Sequence, residues 1–497
     1  MRDSRAPWAS VWAKLQPSSL LLPLVLAACS GNDTSTNVTL GMGGSSGSAQ
    51  GGAASLGGNA NPSGGTSTTA QGGASGGNTS GGGSVGGAAG GNASGGSGGS
   101  VPEDSQPPPK LCQITMACQS PIIDDEKVTC TFQVVDGAGV SIFADHAGVE
   151  LRGRSSINYD KQNYGLELRD AAGMESPVNM LGMGKESDWV LDGSWVDRSF
   201  MRNMLTFSLF RDMGSYAARG RFCTMTLNGA AQGIYEIREK IKRDDDRVAL
   251  TLDDGTGKSF LLKQDQDGTL QLSIGAGNRW QLVYPKQETA NAAQVAAAQS
   301  FLSQLDAAMN SQNPGDPATG LPALLDITQV ADWILIEEFS KNVDAYNLSL
   351  YFARDAGKPA RIVPWDMDLS YGQPTVRNAM NELTSGWVNT RTRLITSLLK
   401  IESLRSSLGP RWRTLRAGPL SNAAIQRKLD RYQTTLDAAA IAQNFSIWPL
   451  ADVDFTPIYR PYSLYPVSSY SDEVTKVRAW IDGRLTYMDA HIDTYPN

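Results

Sequence analysis

Between Gly41 and Gly99 the chain is dominated by glycine, serine and alanine, in runs such as GGSSGSAQGGAASLGGNANPSGG. Such a stretch has too few apolar side chains to offset the conformational entropy lost on folding. It reads as a disordered, flexible linker spanning residues 30–110. From about Leu111 the composition becomes that of an ordinary globular protein. Folding is therefore confined to residues 111–497, enough chain for one large core or two smaller ones.

Charge and cysteine usage narrow the function classes. The formal net charge of the 497 residues is −7, which excludes a generally basic nucleic-acid binder. The only histidines are His146 and His491, which argues against a His-rich metal site or a Ser-His-Asp triad. The five cysteines, Cys29, Cys112, Cys118, Cys130 and Cys223, show no zinc spacing. Setting Cys29 aside, the other four allow three disulfide pairings, and one or two crosslinks are expected if the chain is exported.

No internal repeat follows the linker. Residues 148–169 form two alternating apolar runs around a polar loop, which predicts a β-hairpin with RGRSS (152–156) near its turn. Apolar spacing predicts a helix over 197–213, with Asp197 as N-cap and Gly214 as stop. Arg202 and Asn203 are expected to brace it. FCTMTLNGAAQGIYEIRE predicts a second hairpin around an Asn-Gly turn. SFLLK (259–263) reads as a strand, residues 290–310 as an Ala-rich helix, and residues 328–340 as a buried helix capped by a threonine. From about Glu382 to His491 the chain reads as mostly helical. Strands first and helices second argue for an α+β fold with a site at their junction.

The segment NVDAYNLSLYFARDAGKPARIVPWDMDLSYG (342–372) carries the chemistry. Asn347–Arg354 and Ala360–Trp365 are strand-like, and DAGKP supplies the turn. An antiparallel hairpin sets the start of one strand beside the end of the other, so Asp344 and Asp366 should converge. Clustered carboxylates repel unless a cation is present. A hard divalent ion such as Mg²⁺ or Mn²⁺ relieves that repulsion. Phosphoryl transfer requires one carboxylate near the acceptor hydroxyl and others holding metal on the phosphates. The order of carboxylate, hairpin and carboxylate is similar to that of protein kinases.

The N-terminus, with Arg2, Arg5 and Lys14 before LLLPLVLAACS, resembles a bacterial lipoprotein signal. That resemblance implies a signal peptide over 1–29, lipidation of Cys29, and an outer-membrane or cell-surface location, Ser30 disfavouring inner-membrane retention. The globular part resembles the spore coat protein H (CotH) kinase-like family over roughly 148–490. The residues that carry the likeness are RGRSS with Lys161, DWVLDGSWVDRSFMRNML (188–205), LNGAAQGIYEIREKI (227–241), SFLLK, and NVDAYNLSLYF followed by VPWDMDLSYG. The resemblance implies an atypical protein-kinase-like fold that moves the γ-phosphate of ATP to Ser or Thr hydroxyls of secreted or coat proteins. Asp344 is then the catalytic aspartate, and Asp366 and Asp368 are the metal ligands. Arg152, Gly153, Ser155 and Ser156 form the loop over the nucleotide phosphates, and Lys161 and Glu239 pair near the nucleotide. Two positions depart from ordinary kinases. RGRSS lacks multiple glycines, and Ser349 stands where a metal-binding asparagine is expected. Two other classes remain open, an inactive kinase-like scaffold of a coat or envelope and a surface adhesin on a Gly/Ser stalk.

Overall fold

The computed structural model describes residues 109–496 except 155, 265–267, 275–278, 374–381 and 451–466. The expected signal peptide, Cys29, nearly all of the linker and Ser155 lie outside the described residues.

The first half is built from strands. These are β1 (Cys112–Cys118), β2 (Val128–Val135), β3 (Ser141–Arg152), β4 (Asn163–Arg169), β5 (Val178–Asn179), β6 (Lys185–Glu186) and β7 (Asp188–Asp192). Helix α1 (Arg202–Asp212) intervenes before β8 (Gly220–Leu227) and β9 (Ala230–Glu239). Seven of the strands close into a barrel in the order β1-β2-β3-β4-β7-β9-β8, sealed by parallel pairing of β1 with β8. Both predicted hairpins are present. Arg152 pairs with Asn163 across β3–β4. The β8–β9 turn has Asn228 and Gly229 both at positive φ (49° and 79°), as a two-residue turn matched to strand twist requires.

Alternation along the barrel strands sorts side chains inward and outward. The inward set includes Phe132, Trp189, Tyr235 and Ile237, all essentially inaccessible. Two disulfides, Cys112–Cys223 and Cys118–Cys130, join β1 to its barrel neighbours β8 and β2. The first spans 111 residues, and constraint of the unfolded chain assigns such a loop about 4–5 kcal/mol.

A second, five-stranded antiparallel sheet has the order β11-β12-β10-β13-β14. It is formed by β10 (Phe260–Gln264), β11 (Leu270–Gln271), β12 (Arg279–Tyr284), β13 (Leu350–Arg354) and β14 (Arg361–Pro364). Its helices are α2 (Ala292–Asn310), α3 (Leu321–Leu324) and α4 (Ile327–Ser340). The rest is helical: α5 (Arg393–Leu398), α6 (Glu402–Arg416), α7 (Asn422–Thr435), α8 (Ala438–Ile447) and α9 (Tyr470–His491). The molecule is thus strand-rich in its first half and helical in its second, as the sequence implies. Helix α4 is buried from Gln329 to Ser340, and its enclosed polar side chains are paired, Asp332 with Arg411 and Gln329 with Ile362 O, as buried polar groups require.

Two boundaries differ from expectation. Helix α1 starts at Arg202, because Asp197 acts from outside the helix. Its carboxylate accepts from the Arg202 backbone N–H at 2.8 Å and from Ser199 N–H at 3.0 Å. Helix α4 is capped by Asp326, which accepts from Gln329 N–H at 3.2 Å, so Thr328 lies inside the first turn. Among the described residues no helix is long and apolar enough to cross a membrane.

Candidate functional site

The two ends of the β13–β14 hairpin meet as the sequence implies. Leu350 pairs with Pro364 at the open end. Beyond it, Val343 N–H donates to Leu369 O at 3.1 Å, and Tyr371 N–H donates to Ser340 O at 2.8 Å. Asn342 ties the aspartate loops together. Its Nδ2 donates to Asp366 O at 3.3 Å, and its Oδ1 accepts from Asp344 N–H at 3.3 Å. Strand β13 begins three residues later than expected. The N–H groups of Asn347 and Leu348 turn back to Asp344 O, and Ser349 is left-handed (φ 57°). Asp344 is half-buried and Asp366 is exposed.

Around Asp366 lies a charged cluster drawn from both halves of the molecule. Arg152, at the end of β3, and Arg238, on β9, both lie over the Trp365 ring, with guanidinium carbons 5.1 and 4.7 Å from its centre. Such contacts fix a guanidinium in place while leaving its N–H groups available. Asp192, at the end of β7, forms a buried ion pair with Arg238. Desolvation raises the pKa of Asp366 above the usual carboxylate range, Asp192 adding to the rise and Arg238 and Arg152 opposing it. Asp366 still touches solvent. Asp368 hydrogen-bonds to Asp366. It is pushed well above its ordinary value by desolvation and by repulsion from Asp366, Asp192 and Asp197.

Carboxyls crowded in this way suit a cation. Among the described residues no group of three acidic, cysteine or histidine side chains is disposed to hold a metal ion alone. Mg²⁺ commonly takes only one or two carboxylates and completes its shell with waters and substrate phosphates. The Asp366–Asp368 pair fits that demand.

The RGRSS loop starts beside the cluster, at Arg152. Gly153 has φ 114°, and a Cβ there would lie 1.8 Å from Ser156 Oγ, so this turn admits only glycine. Arg152 is held near Tyr351, Asp366 and Asp192, with desolvation lowering its pKa.

The expected pairing of Lys161 with Glu239 is not formed. Lys161 is buried, and its Nζ donates to Ile234 O at 2.6 Å and to Asn444 Oδ1 of α8 at 2.9 Å. Desolvation brings its pKa down to about 7, against an opposing pull from Asp192. Glu239 instead accepts from Arg219 Nε at 2.9 Å and from Arg219 N–H at 2.8 Å. The reason is strand parity. Glu239 shares the phase of the inward-facing Tyr235 and Ile237, whereas Glu236 and Arg238 share the opposite phase and look toward the aspartates.

Glu236 is the acidic residue that the sequence reading missed. It is buried, neither of its oxygens has a hydrogen bond, and the nearest cation, Arg238 Nη1, is 3.7 Å away. Desolvation raises its pKa to about 7, Arg238 opposing and Asp192 reinforcing the rise. A raised carboxyl contributes stability that is complete below its unfolded pKa of 4.5 and is lost as pH climbs through about 7. Glu236→Gln is therefore expected to be more stable than wild type above neutral pH, by roughly 1–3 kcal/mol. That difference should vanish at acid pH. Denaturant titrations across this range check it, and a constant difference would show that Glu236 does not titrate in the window.

A separate cavity of about 660 Å³, lined by Leu181, Met204, Phe222 and Tyr432 among others, contains none of the candidate residues. Its lining is mainly apolar, with Lys110, Asp136, Arg221 and Arg431 also on its walls.

The family model described as CotH kinase protein matches residues 149–488, which begins at the end of β3 and takes in the later barrel strands, the hairpin and most of the helices. The chain belongs to this family. The CotH chain is also similar to the inner spore coat protein H of Bacillus subtilis (strain 168), with 21% identity over 193 residues. That match covers 37% of this chain, and the chain spans about half (49%) of the relative's length.

Proposed function

We propose that this CotH-family chain is an exported phosphotransferase of atypical kinase-like fold, which moves the γ-phosphate of ATP to Ser or Thr hydroxyls of a coat or surface protein. The observation that carries the reading is Asn342, which joins the Asp344 loop to Asp366 while Arg152 and Arg238 stand beside Asp366. In this reading Asp344 Oδ accepts the hydrogen bond of the acceptor hydroxyl and orients it for in-line attack. Asp366 and Asp368 hold the cation. When bound, Mg²⁺ or Mn²⁺ supplies neutralisation of phosphate charge. Arg152, Arg238, and the Gly153 and Ser156 backbone offer hydrogen bonds to phosphate oxygens. Ser155 belongs to the same loop by its place in the sequence.

The test is incubation of the purified chain with γ-labelled ATP, Mg²⁺ or Mn²⁺, and a Ser-rich acceptor protein. Label transferred to the acceptor is expected. No transfer with either metal would remove the enzymatic reading.

One observation favours a second reading, an inactive kinase-like scaffold of a spore coat or envelope. Lys161 is buried and gives its hydrogen bonds to Ile234 O and Asn444 Oδ1 rather than to Glu239.

Export and anchoring belong to the same proposal. The two disulfides suit an oxidising compartment. Lipidation of Cys29 followed by the Gly/Ser linker would tether the domain to a membrane surface, with the head free to reach protein substrates. Cys29→Ala is expected to move the protein from the membrane fraction to the soluble fraction. If the variant stays in the membrane fraction, the anchor is elsewhere.

A further inference from the structure

We infer that Asn203 is a positioning residue for Asp366, presenting its carboxylate before any cation arrives. The inference rests on the reading of Asp366 as a cation ligand. Asp366 has φ 62°, in the left-handed region, where a residue other than glycine is disfavoured by about 1–2 kcal/mol. Such a conformation persists only where the surroundings over-determine it, and it collects at functional sites.

Here the surroundings fix the peptide that follows the residue. Its carbonyl, Asp366 O, accepts from Asn342 Nδ2 at 3.3 Å. Its N–H, on Met367, donates to Asn203 Oδ1 at 2.8 Å. Asn203 lies in the first turn of α1 and is buried. Its neighbour Arg202 holds the next step of the same loop, Nε donating to Ser370 O at 2.9 Å. Ser370 Oγ in turn donates to Met367 O at 2.6 Å.

The start of α1 thus grips the backbone from Met367 to Ser370. Met367 itself is fully buried, whereas the residue before it is exposed. A return of Asp366 to an extended conformation would swing its side chain away and take Met367 N–H off Asn203. Buried N–H groups are rarely left unpaired, because the loss costs about 1–3 kcal/mol. Asn203 therefore opposes that return. A carboxylate held in its working direction spares the cation the cost of ordering it.

The experiment has two arms on the full chain. In the first, manganese binding in the presence of a non-hydrolysable ATP analogue is measured for wild type, Asn203→Leu, Asn203→Asp, Asp366→Asn and the Asn203→Leu/Asp366→Asn double variant. Asn203→Leu is expected to weaken binding about tenfold or more. Asn203→Asp, which keeps an acceptor oxygen at the same reach, should recover most of the loss. Asn203→Leu should add little once Asp366 is already changed. Equal binding by Asn203→Leu and wild type, or full additivity in the double variant, overturns the inference.

The second arm is independent of metal. A crystal structure of Asn203→Leu, or of Asn203→Ala if the leucine variant does not fold, should show Asp366 out of the left-handed region. If Asp366 keeps its φ, the positioning role is wrong whatever the metal does. If wild type binds no manganese, the cation reading of Asp366 fails, while the backbone arm still decides the role of Asn203.

Discussion

Asp344→Asn is expected to abolish most phosphotransfer while leaving nucleotide binding in place. The substitution removes the acceptor carboxylate but leaves Asp366, Asp368 and both arginines untouched. Loss of orientation together with general-base help should lower transfer by roughly 10²-fold or more. Asp366→Asn should behave differently. It takes a full charge from the carboxylate pair, so metal-dependent nucleotide binding should fall together with transfer. Asp344 is half-buried and Asp366 exposed, so neither change opens a core cavity. Asp366→Asn also relieves repulsion with Asp368 and Asp192, so its melting temperature without ligand should match or exceed that of wild type. Calorimetry with Mg²⁺ and ATP, run beside a labelled-phosphate assay, separates the two roles. Full activity of Asp344→Asn would return that residue to a turn role. Wild-type nucleotide affinity in Asp366→Asn would remove it from the metal site.

The largest effect on stability is expected from Arg202→Met. The Arg202 side chain is fully buried between two carboxylates, with Nη1 at 2.5 Å from Asp197 Oδ1 and 2.8 Å from Glu473 Oε1. Methionine preserves much of the volume but leaves both carboxylates enclosed without their cation. Breaking a buried pair from one side typically costs about 3–5 kcal/mol, because the desolvation penalty of the remaining charge is no longer offset. Two charges are stranded here, which places the expectation at the upper end of that range. Urea unfolding of wild type and variant at neutral pH measures it. A loss below about 1 kcal/mol would mean that water reaches the site or that the carboxylates take up protons. The same change releases Ser370 O, so it should also loosen the loop that carries Asp366 and Asp368.

Legibility in the sequence followed the range of the interactions involved. Elements set by neighbours in sequence were readable. The Asn228–Gly229 turn, the hairpin around RGRSS and the stop at Gly214 each depend on a few adjacent residues with restricted φ. The aspartate hairpin was readable because strand alternation and DAGKP together dictate an antiparallel return. Boundaries slipped where a side chain acted across a short loop. Asp197 reaches the Arg202 N–H from five residues upstream, and Asp326 outcompetes Thr328 for the α4 cap.

The residues around Asp366 show the other limit. EIRE contains two glutamates, and the sequence does not say which of them faces the aspartates. That choice depends on which strand face the closed barrel turns inward, so Arg238 meets Trp365 and Asp192, and Glu236, not Glu239, lies beside it. Lys161 follows RGRSS closely in sequence, but its partner Asn444 lies 283 residues away, a distance over which local spacing carries no information. The pairing of the four cysteines was equally open until β1 came to lie between β2 and β8. By itself the sequence determined where a fold is possible, the order of strands and helices, and the meeting of Asp344 with Asp366, because backbone sterics and alternation act locally. Only the tertiary structure decided the charge partners, the disulfide pairing and the left-handed setting of Asp366, because each depends on surfaces that become neighbours only when the barrel closes and α1 docks against the hairpin.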